Sequence, residues 1–231
     1  MPYLHDSAGM PDTDNTAFHS HANDMDIFDS FDKLTLGTFR EIQEVQKQEG
    51  REDIDSHITI LSLLTGASEE DILHLPLPEF TELSAKAGFL AAEEFQTRRL
   101  AKKYIVGDWE LIPVTDYRKL ETAQYIDFQS LGGDMDAHMV ELLSVILVPK
   151  GCRYNEGYDI LELQKALREN MSVTDGVTIC AFFLISLEKS IKDMLNYSRE
   201  EAEKMPEGKK KEEIRQRIRE QVEALETSGD G

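Results

Sequence analysis

The stretch "YIVGDWELIPV" (104–114) constrains the fold most, because it predicts a β-hairpin in a chain whose other periodic segments are helical. Two short apolar strands flank a two-residue turn, and Gly107 at its first position suits a type II′ turn. Pro113 lacks a backbone N–H, which predicts an edge position for the second strand. An isolated hairpin is marginally stable in water, so Trp109 and Leu111 are expected to pack against helices.

The segments on both sides of the hairpin repeat their apolar residues at helical spacing. Thr35 and Ser68 are predicted N-caps, and Gly66 is predicted to end the helix before it. A long helix is expected from about Thr174 to Lys204. The predicted fold class is therefore mainly α, a helical domain with one central β-hairpin.

Changes in composition, together with helix-breaking and turn residues, divide the chain into five predicted regions. The first 30 residues are rich in Asp, Ser, His and Asn and poor in aliphatic residues, which is typical of disorder. The regions are a disordered acidic tail over 1–30, an N-terminal helical half over 31–100, the β-hairpin over 101–117, a C-terminal helical half over 118–205 and an amphipathic helical tail over 206–231.

Three short segments recur in the same order on the two sides of the hairpin. The paired segments are 33–43 with 119–129, 56–64 with 137–145, and 70–75 with 158–163. Each pair shares apolar and charged positions, as in "KLTLGTFREIQ" and "KLETAQYIDFQ". We therefore hypothesise an internal duplication of a helical unit, with the hairpin as the connection between the copies.

The charge balance excludes some classes of partner. The chain of 231 residues has a formal net charge of −20, which repels phosphate backbones and anionic lipid. We therefore expect binding to neither nucleic acid nor membrane. The most apolar run, 177–187, is too short to cross a bilayer, and no signal peptide is recognisable. Cys152 and Cys180 are expected to be reduced thiols in a cytoplasmic protein.

One cluster of potential metal ligands keeps an enzymatic alternative open. His19, His21, Asp24 and Asp26 lie close together in the N-terminal tail, and imidazole with carboxylate suits Zn²⁺ or Mn²⁺. A metal-dependent hydrolase built on these residues is the alternative from another functional class. The surrounding segment has few apolar residues to hold ligands in place, which favours a solvated tail.

Other features give little support to catalysis. His57 and His138 occupy equivalent places in the repeated segments, but each opens an apolar helix, where a capping or hydrogen-bonded histidine is expected. The "GGDMD" stretch (132–136) lacks the spaced ligands of a calcium loop. Phosphate-binding, dinucleotide-binding, serine-hydrolase and zincin motifs are absent from the sequence. We therefore predict a protein that is not an enzyme, with no catalytic residue, metal or cofactor.

The C-terminal tail carries a narrow apolar stripe on an otherwise charged helix. Four apolar positions cannot stabilise a lone helix, so the stripe either docks on its own core or binds a partner helix. The predicted partner-binding residues are this stripe and the hairpin tryptophan: Trp109, Ile214, Ile218, Val222 and Leu225.

Three stretches carry a family resemblance. They are "LLTGASEEDILHLPLPEFTELSAKAGFL" (63–90), "KLETAQYIDFQSL" (119–131) and "LLSVILVPKGCRYNEGYDI" (142–160). In these patterns and their order, the chain resembles the tail assembly chaperones and baseplate-hub assembly proteins of large tailed phages. The resemblance covers about residues 33–187 and rests on apolar patterns.

What the resemblance implies is a non-enzymatic assembly factor in the host cytoplasm. Such factors bind a phage structural protein, the tape-measure or a hub protein, and keep its hydrophobic helices soluble until the tail assembles. A structural subunit of a virion baseplate or neck is the second alternative. The sequence leaves the oligomeric state open.

Overall fold

The computed structural model describes residues 27–48, 53–92, 95, 97–131, 137–204, 208, 212–214, 216–217 and 219–220. Within these ranges the helices are α1 (Leu36–Gln46), α2 (Asp53–Thr65), α3 (Glu69–Leu73), α4 (Leu77–Lys86), α5 (Thr122–Leu131), α6 (Met139–Ile146), α7 (Ile160–Asn170) and α8 (Val173–Lys204). The strands are β1 (Tyr104–Val106), β2 (Trp109–Pro113) and β3 (Leu147–Pro149), and short 3₁₀ helices cover Ala87–Ala91 and Tyr117–Lys119. The mainly α fold with a central hairpin is confirmed.

The predicted helix ends are confirmed where side chains terminate the helices. The Thr35 hydroxyl accepts a hydrogen bond from the Thr38 N–H at 3.2 Å, and Ser68 and Asp71 form a capping box at the start of α3. Gly66 follows α2 with a φ of +71°, and its N–H donates to the Ser62 carbonyl. The fourth helix ends at Lys86, where α4 passes into a 3₁₀ helix at Ala87.

The hairpin belongs to a three-stranded antiparallel sheet in the order β1-β2-β3. The predicted edge position of the second strand is wrong, since β2 lies in the middle. The Lys150 N–H donates to the Glu110 carbonyl and the Val114 N–H donates to the Ile146 carbonyl, so alternate residues of β2 bond towards β3. Pro113 lies between Ile112 and Val114, so its backbone nitrogen points away from β3. It also lies beyond the end of β1, so the missing N–H costs no bond between strands.

The third strand was not predicted, and it follows a helix without a connecting loop. α6 ends at Ile146 and β3 begins at the next residue. The β-branched Val148 and the helix-breaking Pro149 favour this change from helix to strand. Sequence periodicity could not separate the two states, because a short apolar run fits either one.

Both helical halves contribute to one hydrophobic core. The Leu36 N–H donates to the Met171 carbonyl and the Val173 N–H donates to the Leu34 carbonyl, which ties the start of α1 to the start of α8. Residues 27–30, assigned by sequence to the tail, are part of this fold, and Ile27 is buried. Residues 1–26 lie outside the described chain.

The helix that follows the hairpin is fixed by a buried glutamine. Gln124 accepts a hydrogen bond from the Glu121 N–H at 2.9 Å and donates to the Val145 carbonyl at 2.8 Å. The first bond satisfies a free N–H at the start of α5, and the second satisfies a carbonyl in the last turn of α6. One polar side chain therefore holds α5 against α6 without an unpaired buried group.

Candidate interaction surface

An open groove runs between α8 and the 3₁₀ helix at Tyr117–Lys119, and we refer to it as the α8 groove. Its volume is about 620 Å³. One wall consists of Thr115, Asp116, Tyr117 and Arg118, and the other consists of Ser186, Lys189, Ser190, Asp193, Met194 and Tyr197. Every α8 residue in this set lies beyond Phe183, the last α8 residue in the main core cluster, although Leu195 and Ala202 further along α8 are also buried.

The wall opposite α8 is held rigidly by local bonds. The Asp116 carboxylate accepts from the Arg118 backbone N–H and binds the Arg118 guanidinium through both oxygens, at 3.0 and 3.1 Å. The guanidinium holds the pKa of Asp116 below its usual range. The Tyr117 ring lies edge-to-face on Tyr125 of α5 with ring centres 5.7 Å apart, and burial raises the pKa of Tyr117. The short helix therefore presents a fixed surface.

The opposite wall presents apolar side chains to solvent. Met194 is 55% exposed and Tyr197 is 64% exposed, although both lie on the groove side of α8. Seven of the fourteen large apolar side chains that are exposed among the described residues lie on α5 and α8. They are Tyr125, Ile126, Phe182, Leu184, Ile185, Met194 and Tyr197. Of these seven, Met194 and Tyr197 line the α8 groove.

The charges of the α8 groove cancel, in contrast to the rest of the chain. Asp116 and Asp193 contribute two negative charges, while Arg118 and Lys189 contribute two positive ones. The formal sum in the groove is therefore zero in a chain of −20. An approaching apolar segment meets no net repulsion there, and charged side chains of either sign on that segment find a counterpart at the rim.

Two other cavities are weaker candidates. A groove of about 510 Å³ along β3 is lined in part by Lys119, Glu121 and Arg153, but Arg153 is already bound to Glu121 at 3.0 Å. A small cavity between Phe39 and Arg168 has a volume of only about 20 Å³, which is room for one water molecule. The groove along β3 is also partly apolar, but its most exposed large apolar side chain is Ile112 at 39%, against 64% for Tyr197 in the α8 groove.

The predicted partner-binding residues fall in different places. Trp109 is half-buried on the inner face of the sheet, beside the buried Leu111, and its ring lies edge-to-face on Tyr158 at 6.2 Å. Ile214 is half-buried and helical. Ile218, Val222 and Leu225 lie outside the described residues.

The apolar residues of the α8 groove were missed by sequence reasoning. Tyr117, Met194 and Tyr197 lie in segments that are rich in charged residues, and these segments indicate solvated surface. Met194 and Tyr197 are spaced by three residues and follow Ile191 by the same interval, which places all three near one face of a helix. That spacing is the feature of the sequence from which an apolar face on this part of α8 could have been predicted.

The two histidines suggested by the repeat do not form a pair. His138 is exposed at the start of α6. The His57 Nε2 atom lies 2.9 Å from the Ser84 hydroxyl, which itself donates to the Phe80 carbonyl. Because the hydroxyl has one proton, His57 must be the donor towards Ser84, the reverse of the arrangement that activates a serine. The contact joins α2 to α4.

Metal-binding and membrane-spanning features were sought among the described residues only. No group of three His, Cys, Asp or Glu side chains there is arranged to hold a metal ion. The N-terminal cluster of His19, His21, Asp24 and Asp26 lies outside the described chain. No described helix combines the length and the apolar character that crossing a bilayer requires.

Comparisons with known proteins complete the description of the site. No family model matches this chain, and neither does any curated protein or solved structure. The resemblance to phage tail assembly factors therefore remains an expectation from the sequence.

Proposed function

We propose that this protein is a non-enzymatic assembly factor of a tailed phage, which binds a structural partner in the host cytoplasm through apolar helical surface. The observation that supports this proposal best is the α8 groove, which exposes Met194 and Tyr197 and carries no net formal charge on a strongly acidic chain. The family resemblance supplies the class of partner, the tape-measure protein or a hub protein.

The shape of the α8 groove suits one short amphipathic helix. Its α8 wall runs from Ser186 to Tyr197, which is about 16 Å or three helical turns at 1.5 Å per residue. A partner helix with apolar residues at positions i, i+4 and i+7 would place them against Tyr117, Met194 and Tyr197. Methionine is suited to this contact because its flexible side chain adapts to several partner sequences.

The expected affinity fits temporary binding. Fully burying a large apolar side chain contributes about 1.5–3 kcal/mol, and Met194 and Tyr197 are already partly covered. Association also costs several kcal/mol of lost translational and side-chain freedom. A surface of this size therefore supports reversible binding, as required of a factor that gives up its partner when the tail tube forms.

The acidic remainder of the chain supports the same role. A net charge of −20 makes copies of the protein repel one another and keeps them in solution at high concentration. An apolar partner helix held in the α8 groove is surrounded by this charge. Aggregation of the partner is therefore opposed while it is bound.

Site-specific photocrosslinking tests the proposal. A benzophenone amino acid replaces Tyr197 in the α8 groove, and in a control protein it replaces Leu77 of α4, which is 75% exposed against 64% for Tyr197. Both proteins are expressed together with the phage tail proteins and irradiated. We expect a crosslink from position 197 to a helical segment of the tape-measure or hub protein, and none from position 77. Equal labelling at both positions, or labelling at neither, contradicts the proposal.

Mass spectrometry of purified mature particles separates an assembly factor from a structural subunit of the baseplate or neck. An assembly factor is expected in the infected-cell extract and not in the particle. If the protein is found in particles at a fixed ratio to other tail proteins, it is a structural subunit.

A further inference from the structure

Two side chains on the outer half of α8, residues 184–204, are buried away from the main core. Leu195 is 5% exposed and Ala202 is 2% exposed, yet neither belongs to the main core cluster. They lie seven residues apart, about two helical turns, and therefore share one face of α8. Because the burial is that of one chain alone, a segment of the same chain must cover this face.

The covered face points away from the α8 groove and lies beyond the core. At about 100° per residue, Leu195 is about 160° around the helix from Tyr197, which lines the groove. Along the helix it lies about 18 Å past Phe183, the last α8 residue in the main core cluster. Neither the 3₁₀ helix at the groove nor the core therefore accounts for its burial.

The pattern of exposure on α8 indicates that the covering segment is a helix. Between residues 192 and 204, the side chains that are not exposed are Leu195, Ser198, Glu201 and Ala202. The half-buried Ile191 extends the same line, so that 191, 195, 198 and 202 follow at intervals of four, three and four residues. This is the repeat with which one helix packs along another.

The C-terminal tail contains a helix that can take this place. Residues 212–214, 216–217 and 219–220 are helical, and Ile214 is the one side chain among them that is not exposed. The Glu212 N–H donates to the Gly208 carbonyl at 3.3 Å, a helical bond that leaves only a short connection after Lys204, the last residue of α8. Helices joined by so short a connection lie side by side and antiparallel.

We propose that this C-terminal helix folds back along the outer half of α8 and packs its apolar stripe on the face of Leu195 and Ala202. In antiparallel helices, residues at equal or nearly equal distances from the connection at Gly208 face each other. The half-buried Ile214 then lies opposite the buried Ala202, in agreement with the exposure of both. The facing pairs are Ala202 with Ile214, Ser198 with Ile218, Leu195 with Val222, and Ile191 with Leu225.

The pairing also supports the wall of the α8 groove, and this role rests on the proposed function. A single helix that extends beyond its core is marginally stable in water. A second helix on the face away from Tyr197 holds the outer half of α8 in place and leaves the groove open.

Cysteine pairing tests the register in the full chain. Ala202→Cys with Ile214→Cys, in a Cys152→Ser background, is expected to form an intrachain disulfide under mild oxidation, because facing positions bring the two sulfurs within reach. Ala202→Cys with Gln216→Cys is the matched control, since Gln216 is on the exposed side of the same helix. Peptide mass spectrometry of the monomer measures both yields, and the first is expected to be about fivefold higher or more. Equal yields, or no disulfide from the first pair, overturn the proposal.

Hydrogen exchange measures the effect on α8 without any partner. Ile214→Asp combined with Ile218→Asp is expected to speed amide exchange over residues 192–204 about tenfold or more and to leave residues 173–183 unchanged. Gln216→Asp, with its charge on the exposed side, is expected to change neither segment. Unchanged exchange over 192–204 in the double variant overturns the pairing and leaves the proposed function to its own crosslinking test. Faster exchange with an unchanged crosslink from position 197 supports the pairing and overturns its role at the groove.

Discussion

At the scale of single residues, the close contact between α1 and α7 depends on a glycine in α1. A Cβ atom at Gly37 would lie 2.9 Å from the Arg168 carbonyl oxygen and 2.8 Å from Arg168 Cγ. The carbonyl belongs to α7 and cannot move without shifting that helix. Glycine is therefore required here for close contact between the two helices, although it is an unfavourable residue inside a helix.

Gly37→Ala is expected to destabilise the protein by about 1–3 kcal/mol, the usual cost of inserting an atom into a packed contact. The gain in helix propensity, about 1 kcal/mol, acts in the opposite direction and is too small to cancel the clash. Urea denaturation followed by circular dichroism measures the difference. Gly88→Ala is the matched control, because a Cβ at Gly88 meets nothing within 4 Å. If both variants are equally stable, the contact between α1 and α7 is looser than described.

The two thiols are expected to differ in reactivity. Cys180 is buried, and burial raises the pKa of its thiol to about 12, so the nucleophilic thiolate is scarce at neutral pH. Cys152 is half-exposed. Iodoacetamide at pH 8 should therefore modify Cys152 in the folded protein and leave Cys180 unmodified until urea is added, as peptide mass spectrometry can show. Rapid modification of Cys180 without denaturant would indicate local opening of α8.

At the scale of elements, local chemistry made most helix ends and the hairpin predictable. Thr35, Ser68 and Gly66 act through bonds to residues within four positions, and such bonds can be recognised from the sequence. The position of β2 could not be predicted, because it depends on β3, which pairs from almost 40 residues away. The prediction from Pro113 treated the strand as if it had one neighbour.

The candidate site was less predictable than the fold. The α8 groove forms only because the Tyr117–Lys119 helix lies across the outer half of α8, and this contact joins residues some 70 positions apart. The sequence identifies Met194 and Tyr197 as apolar residues on a charged helix. It does not show whether another element covers them. Trp109 was predicted to bind a partner at the edge of the hairpin, and this stays a prediction. Its ring packs against Tyr158 and is only half-buried.

The internal duplication stays a hypothesis at this scale. α1 begins at Leu36 and α5 begins at Thr122, each three residues after the lysine that opens its repeated segment. Equivalent helix starts agree with a common origin, and the caps differ, since Thr35 caps α1 while Gln124 bonds the start of α5. Superposition of residues 33–90 on 119–187 would decide whether the two halves share a common structure.

The C-terminal helix yields a prediction about binding. Ile214→Asp combined with Ile218→Asp is expected to change the thermal unfolding midpoint little from that of the wild type, as is typical of surface substitutions. The same double variant is expected to give a lower yield of the crosslink from position 197. The reason is that charges on the apolar stripe prevent it from contributing to a partner surface. Arg217→Ala, on the exposed side of the same helix, is the control and should change neither property. A large loss of stability in the double variant would show that the stripe docks on its own core.

At the scale of the whole molecule, unbalanced charge opposes the fold. The chain has 45 acidic and 25 basic side chains, and its ion pairs, such as Lys33–Asp29 and Lys192–Glu188, are exposed. Exposed pairs contribute little individually, about 0–1 kcal/mol. Repulsion among the excess carboxylates acts over longer distances and is relieved on unfolding, when the chain expands.

Added salt is therefore expected to stabilise this protein. Raising NaCl from about 0.01 to about 0.1 M shortens the screening length from about 30 to about 10 Å, which weakens long-range repulsion more than it weakens contact pairs. We expect the unfolding midpoint to rise by roughly 2–4 °C, which corresponds to about 1 kcal/mol for a chain of this size. Differential scanning calorimetry at constant pH measures this shift.

A charge variant separates general repulsion from specific ion effects. Glu41 and Glu169 are exposed helix residues without an ion-pair partner among the described side chains, and replacing both with lysine changes the net charge from −20 to −16. If repulsion governs the salt response, this variant is more stable than the wild type in dilute buffer, and the same addition of NaCl raises its midpoint less. A midpoint that falls with salt in either protein would mean that the surface ion pairs outweigh the repulsion. The acidic composition would then cost the fold little, and its role would lie in solubility and in the choice of partner.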